Sequence, residues 1–249
     1  NTWADPTGSL SPRAYSVQEM TRVLSAFVGE IEPEAVDPSL VVSNATSLPN
    51  GVVASAGGRV ESDVIALFQF KQGTGSVAFD TSGVDPALNL SLRPGVEWVG
   101  SWGISIADNG KAQGDTSSSK KLNDLIRLTG EYSIETWVIP GNVTQEEKRI
   151  VSYSGGTEAR NFALNQTIYN YDFLARSENT DADGRPLLNT PSAEEILQST
   201  LQHVVTTYDP TEGRKIYVNG DLVAEDNDAS LVGSIANWDD TFVLAVGNE

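Results

Sequence analysis

Asn219-Gly220 lies between two short runs of β-branched and aromatic residues, and it leaves few alternatives to a tight antiparallel turn. A type I′ hairpin needs positive φ at both central residues, which asparagine and glycine tolerate best. Upstream, His203–Tyr208 has the content of a pleated, half-buried strand. Asp209-Pro210-Thr211-Glu212-Gly213 then supplies turn chemistry: the proline presets φ and the glycine takes positive φ without steric cost. His203–Ala224 therefore predicts a three-stranded meander, with Lys215–Val218 and Leu222–Ala224 as its second and third strands.

Short strands and turn signals extend over most of the chain. Strands are predicted at Val64–Phe70, Ser76–Phe79, Leu88–Leu92, Val96–Val99, Gly103–Ala107, Leu125–Leu128 and Tyr132–Ile139. Arg149–Ser154, Asn161–Leu164, Ile168–Ala175 and Thr241–Val246 follow. Twenty-two Gly and eleven Pro punctuate them, which predicts an all-β, two-sheet antiparallel sandwich or jelly roll. Two helices are expected. Ser16-Val-Gln-Glu19 is a capping box ahead of apolar residues at helical spacing, giving Val17–Val28. Thr190-Pro191 can start a second, short helix over Ala193–Gln198. Residues 1–63 are thus expected to form an arm, one short helix and a linker ahead of a domain at 64–249.

The meander also carries a family resemblance. A strand HV-x-x-TYD, a glycine turn and IYVNG-x-LVA resemble the signature of LamG-like jelly-roll domains of the concanavalin A-like lectin/glucanase superfamily. Leu67-Phe-Gln-Phe70 with Asp80-Thr-Ser-Gly83 resembles that family's opening strand and D-S-S-G loop. Tyr132-Ser-Ile-Glu-Thr-Trp-Val-Ile-Pro140 resembles its F-T-I-x-A-W-V-x-P strand, and Phe242–Gly247 its late L-x-I-G strand. The resemblance implies a jelly roll and leaves function open, because one fold hosts many activities. It also implies a closing strand after Thr241–Gly247, of a type absent from these 249 residues. That strand is expected from the continuation of the polypeptide or from a partner, since without it Val64–Phe70 would present an unpaired edge.

Charge and missing residue types narrow the chemistry. The net charge of −18, with 34 acidic residues, argues against nucleic acid and against anionic membrane surfaces. With no cysteine there are no disulfides, no cysteine nucleophile and no C-x-x-C-H haem attachment. Neither haem nor nucleotide is expected as a cofactor. No apolar run approaches the ~20 residues that a membrane helix requires. Asn44, Asn89, Asn142 and Asn165 stand in Asn-x-Ser/Thr sequons, about as many as the serine and threonine content produces by itself.

Several residues are candidates for a site. Glu131, Ser133 and Glu135 share one strand face. Glycosidases of the superfamily carry Glu-x-Asp-x-Glu on a similar strand, with nucleophile and acid at its ends; here Ser133 replaces the central carboxylate. His203 is the single histidine and reads as a packed core-strand residue. Asp181-Ala-Asp-Gly184 has two carboxylates ahead of a glycine, as calcium loops do, so Asp181 and Asp183 are the calcium candidates. The family often binds calcium through an Asp just after the first strand, where this sequence has Lys71. Asp80, Asp239 and Asp240 are further acidic positions. Tyr169, Tyr171 and Phe173 form one stripe that is either sandwich core or a sugar-stacking surface, and Trp98, Trp102, Trp137 and Trp238 pose the same choice.

Taken together, the sequence predicts a non-catalytic recognition or assembly module, secreted, cell-surface or periplasmic, within a larger protein or complex. Its expected partner is carbohydrate or another protein chain. The alternatives are a glycoside hydrolase of the same superfamily and a structural subunit without ligand.

Overall fold

The computed structural model describes residues 63–107, 109–228 and 230–248. The expected arm, the helix Val17–Val28 and the linker lie outside the described residues. In chain order the described residues form β1 (Val77–Ala78), β2 (Leu90–Leu92), β3 (Val96–Val99), β4 (Gly103–Ile106) and β5 (Lys111–Gln113). Helix α1 (Thr116–Thr129) leads into β6 (Tyr132–Val138), β7 (Lys148–Gly156), β8 (Ala159–Thr167), β9 (Asn170–Ala175) and β10 (Leu188–Asn189). The meander β11 (Gln202–Asp209), β12 (Gly213–Val218) and β13 (Asp221–Asp226) comes next, and β14 (Val243–Gly247) is last.

The pairing is antiparallel throughout. An eight-stranded sheet runs β1-β2-β5-β14-β7-β8-β9-β10, a four-stranded sheet runs β13-β12-β11-β6, and β3-β4 is a separate ribbon. This is the expected jelly-roll sandwich. The meander folds as its turns dictate. Asn219 and Gly220 take φ of 54° and 94°, and the Asp209 carboxylate caps its own turn by accepting the N–H groups of Thr211 and Glu212. Gly213, at φ 99°, has no room for a side chain, because a Cβ there would meet the Asp226 carbonyl at 2.1 Å.

The core forms where the inward residues of both large sheets meet. Tyr132 is its hub, with ring centroids of Tyr208, Phe162 and Trp238 at 5.4, 5.5 and 5.2 Å. Tyr171 and Phe173 are fully buried in the same cluster, so the aromatic stripe of β9 is core rather than a binding surface. Tyr169 stands outside the strand, because Ile168 takes a positive φ of 54° and turns the chain before Asn170. Burial of each large apolar side chain contributes about 1.5–3 kcal/mol, enough to fix which sheet face turns inward.

Four expectations are corrected. Leu125–Leu128 is not a strand but the last turn of α1. Asp115 caps that helix by accepting the Ser118 N–H, and Gly130 ends it in the left-handed region at φ 80° with its N–H on the Ile126 carbonyl. Its apolar face, Leu122 and Ile126, joins the core. The second expected helix reduces to a 3-10 turn at Ser192–Glu194, ended by Glu195 at φ 46°. Leu197 leaves that turn to become fully buried. Two short strands, β5 and β10, arise where none was expected.

The fourth correction is Val64–Phe70, expected as the opening strand, which belongs to no sheet. Its backbone is tied instead to the Asp80 loop: the Leu67 carbonyl accepts from Thr81, and the Ile65 carbonyl from the Ser82 hydroxyl. Asp80 accepts backbone N–H groups from Leu67, Ser82 and Leu88 and pairs with the Lys121 ammonium of α1 at 2.5 Å. The two side chains are 1% and 2% exposed. Burial pushes this carboxyl upward, but Lys121 and the three N–H donors outweigh it and hold the pKa at about 2.

Candidate binding face and acidic loops

Alternation along β6 sends Tyr132 and Ile134 into the core and Ser133, Glu135 and Trp137 outward. Register with β11 then decides what each outward side chain meets. Trp137 stands opposite His203, and Glu135 opposite Val205. The row continues through Tyr217 on β12 to Leu222 on β13, crossing the whole sheet.

At the β6 edge of this outer face the His203 ring stacks on the Trp137 indole, centroids 4.6 Å apart and planes 24° apart. His203 Nε2 lies 3.0 Å from Glu135 Oε1, within hydrogen-bond reach. Its backbone is fixed by the type I′ turn, where Asn219 Oδ1 accepts the His203 N–H at 3.0 Å. The indole nonetheless stays 60% exposed, and Leu222, on the same face at the opposite edge of the sheet, is 47% exposed. Ile139 and Leu201, just beyond the Val138/Gln202 pair, are exposed too. A sheet thus holds a large aromatic ring open to solvent on a pre-set support.

Glu131 precedes β6, and its N–H donates to Thr129 Oγ1 at the end of α1. On an extended strand its Cα lies about 13 Å from that of Glu135. Ser133 between them has no carboxyl, and Glu135 is bonded to His203. The single histidine, expected as a packed core-strand residue, is packed against Trp137 and bonded to Glu135, on the outward face of β11.

The remaining acidic candidates have other tasks. Asp181 Oδ1 accepts the N–H groups of Asp183 and Arg185, which shapes the Asp181–Gly184 turn. Gly184, at φ 78°, presses against the Ala175 backbone, where a Cβ would come within 2.9 Å. The Asp183 carboxylate lies 2.6 Å from buried Arg160 and 3.0 Å from Arg185. Calcium wants six to eight oxygen ligands, and among the described residues no three carboxylate or imidazole groups converge on one point. These residues do not fit a calcium ion as they stand. Asp80 is occupied by Lys121. Asp239 caps the turn before β14 through Thr241, which lowers its pKa, and Asp240 lies 3.5 Å from Lys120.

Residues 111–249, more than half of the chain, match the concanavalin A-like lectin/glucanases superfamily. The chain belongs to that superfamily. No curated protein matches it. Among solved structures it is similar to the binding domain of botulinum neurotoxin DC in complex with rat synaptotagmin II, at 15% identity and a TM-score of 0.52. The same domain in complex with SialylT gives 17% and 0.53, and the receptor-binding domain of the C/D mosaic serotype gives 15% and 0.53. These likenesses cover 77%, 76% and 76% of this chain. The chain spans only 45%, 45% and 47% of those structures, and the likeness is one of fold. The lectin/glucanase fold therefore supplies the scaffold on which the Trp137 face stands.

No local pattern signals the Asp80–Lys121 pair, because its members stand 41 positions apart. Leu222, directly after the Asn-Gly turn and Asp221, could have been flagged as an apolar residue on a hairpin with a polar outer side.

Proposed function

We propose that this superfamily member is a non-catalytic recognition module of a secreted or cell-surface protein, and that the Trp137 face binds carbohydrate. The observation that carries the reading is the exposed indole held against His203 with Glu135 behind it. An indole face offers a flat, electron-rich surface to the C–H groups of a sugar ring. Glu135 and His203 stand beside it as hydrogen-bonding groups for hydroxyls. Exposed tryptophans on rigid supports are typical anchors of binding surfaces. The neurotoxin binding domains that share the fold, one of them in complex with SialylT, are consistent with a recognition role.

The ligand is a neutral saccharide rather than an acidic one. Glu131, Glu135, Asp221 and Glu225 lie on or beside this sheet, and the nearby Lys215 is bonded to Glu212. An acidic sugar would meet repulsion there. Hydrolysis is not part of the proposal, since Ser133 supplies no carboxyl and Glu135 is engaged by His203.

A glycan array of the wild type and of Trp137→Ala, in calcium and in chelator, tests the reading. Neutral oligosaccharides should be retained by the wild type and weakened about tenfold or more by Trp137→Ala, the scale of an aromatic hot spot. Retention of sialylated or sulfated glycans alone, or equal retention by the variant, would refute it.

A further inference from the structure

The four Asn-x-Ser/Thr sequons are equivalent as sequence, but their settings in the fold differ. Asn44 lies outside the described residues. Asn165 is buried within β8, paired with Arg149 of β7 on one side and Asp172 of β9 on the other. A sugar on its side chain would have to displace whatever packs around it. Asn89 is half-buried between Leu88 and Leu90, both fully buried. Its Oδ1 accepts the Asp80 N–H, next to the Asp80–Lys121 pair. A sugar there would crowd the loop that holds that pair.

Asn142 differs on each count. It is exposed, on the loop between β6 and β7. Its backbone is held from β8, because Gln166 Nε2 donates to the Asn142 carbonyl at 2.6 Å and Gln145 Nε2 donates to Gln166 Oε1 at 3.0 Å. Its side-chain oxygen accepts both the Thr144 N–H and the Thr144 hydroxyl, each at 2.9 Å. The two residues that define the sequon are thus already in contact. Among the described residues no group accepts a hydrogen bond from Asn142 Nδ2, the atom that would carry a sugar.

We propose that Asn142 is an N-glycosylation acceptor and that Asn89 and Asn165 are not. The reaction joins Asn142 Nδ2 to C1 of an oligosaccharide carried on a lipid diphosphate. The C1–O bond to the diphosphate breaks, the lipid diphosphate leaves with the electron pair, and the Nδ2 proton passes to a base of the transferase. Where transfer precedes folding, the fold acts as a filter. A chain modified at Asn165 cannot close β8 between its neighbours, whereas a chain modified at Asn142 can. The modification has a physical use at this position. Exposed Ile139 lies within about 11 Å of Asn142 along the chain, and Leu201 is exposed just beyond the Val138/Gln202 pair. A hydrated sugar beside them screens apolar surface from other molecules. The proposal rests on the secreted or cell-surface placement given above, and not on what the Trp137 face binds.

The test supplies the route. The 249-residue chain is secreted from cultured mammalian cells behind a cleavable signal peptide. Peptide N-glycosidase in heavy-oxygen water then turns each sugar-bearing asparagine into a mass-tagged aspartate, which peptide mapping locates. The tag should appear at Asn142 and be absent from Asn89 and Asn165. Thr144→Ser should keep the sugar, and Thr144→Ala and Asn142→Gln should remove it while the protein is still secreted and folded. An untagged Asn142 in the secreted wild type, or a tag at Asn89 or Asn165 in folded secreted protein, would overturn the proposal. If the variants are not secreted, the wild-type map decides alone. Because the signal is supplied, the outcome is independent of where the protein resides in its source, so the placement and the acceptor fail separately.

Discussion

Lys121→Met is expected to destabilise the folded domain strongly at neutral pH and much less in acid. The Lys121 ammonium lies against Asp80 and also donates to the Val84 carbonyl at 2.8 Å, and both charged side chains are almost fully buried. Removing one member of a buried pair leaves the other charge uncompensated, which costs about 3–5 kcal/mol. For a domain of this size that corresponds to a fall of roughly 6–20 °C in melting temperature. The Asp80 carboxyl ties the effect to pH. Its folded pKa of about 2 lies below the usual 3.8. It therefore adds stability that is present above the unfolded value and is lost as pH falls from about 4 through 2. At 1.36 kcal/mol per unit that is about 2 kcal/mol. In the variant the ammonium no longer lowers the Asp80 pKa, so acid protonates it at a higher pH than in the wild type and removes the stranded charge. Urea melts followed by tryptophan fluorescence at pH 7 and pH 3 measure both quantities. A loss below about 1 kcal/mol at pH 7, or the same loss at both pH values, would refute the reasoning.

Tyr208→Phe removes a hydroxyl that donates to the Gly233 carbonyl at 2.7 Å and accepts the Gly233 N–H at 2.9 Å. It should cost about 1–3 kcal/mol in the same urea melts, because two groups lose their partner. Gly213→Ala should destabilise by more than about 1 kcal/mol, since its φ is positive and a Cβ would strike the Asp226 carbonyl; thermal melts read this directly. Trp137→Ala should leave stability within about 1 kcal/mol of wild type, as most of the ring is in water, which separates its role in binding from a role in folding. Millimolar calcium is expected to leave the melting temperature unchanged, because Asp183 already holds Arg160 and Arg185. A chelator-sensitive rise would show an ion displacing them.

The meander was legible because its turns are local. Asn219-Gly220 and Asp209–Gly213 specify backbone conformations that few other sequences adopt, and the register follows from them. Helix α1 was not legible, because Thr116–Ser119 is a run of poor helix formers and its buried face includes Ser118, Ser119 and Asn123. Its stability comes from the Asp115 cap and from tertiary contacts such as Ser119 Oγ accepting the Leu244 N–H. Alternation placed Glu135 and Trp137 on one face, but His203 joins them only through a pairing 68 residues away from Glu135. The same rule could not tell whether Tyr171 and Phe173 pointed to core or to water. That depends on which face of β9 the opposite sheet covers.

The order of strands in the large sheet has a consequence for a chain leaving the ribosome. β14 lies between β5 and β7, so it alone joins the β1-β2-β5 segment to the β7–β10 ladder. The ladder and the β11–β13 meander are built from neighbours in sequence and can form as they emerge. The two parts of the large sheet cannot be joined until Val243–Gly247 has been made, after everything it bridges. Until then β5 and β7 both carry open backbone toward the gap. The nascent protein thus passes through a late, half-joined state whose open strands are exposed to pairing with other chains.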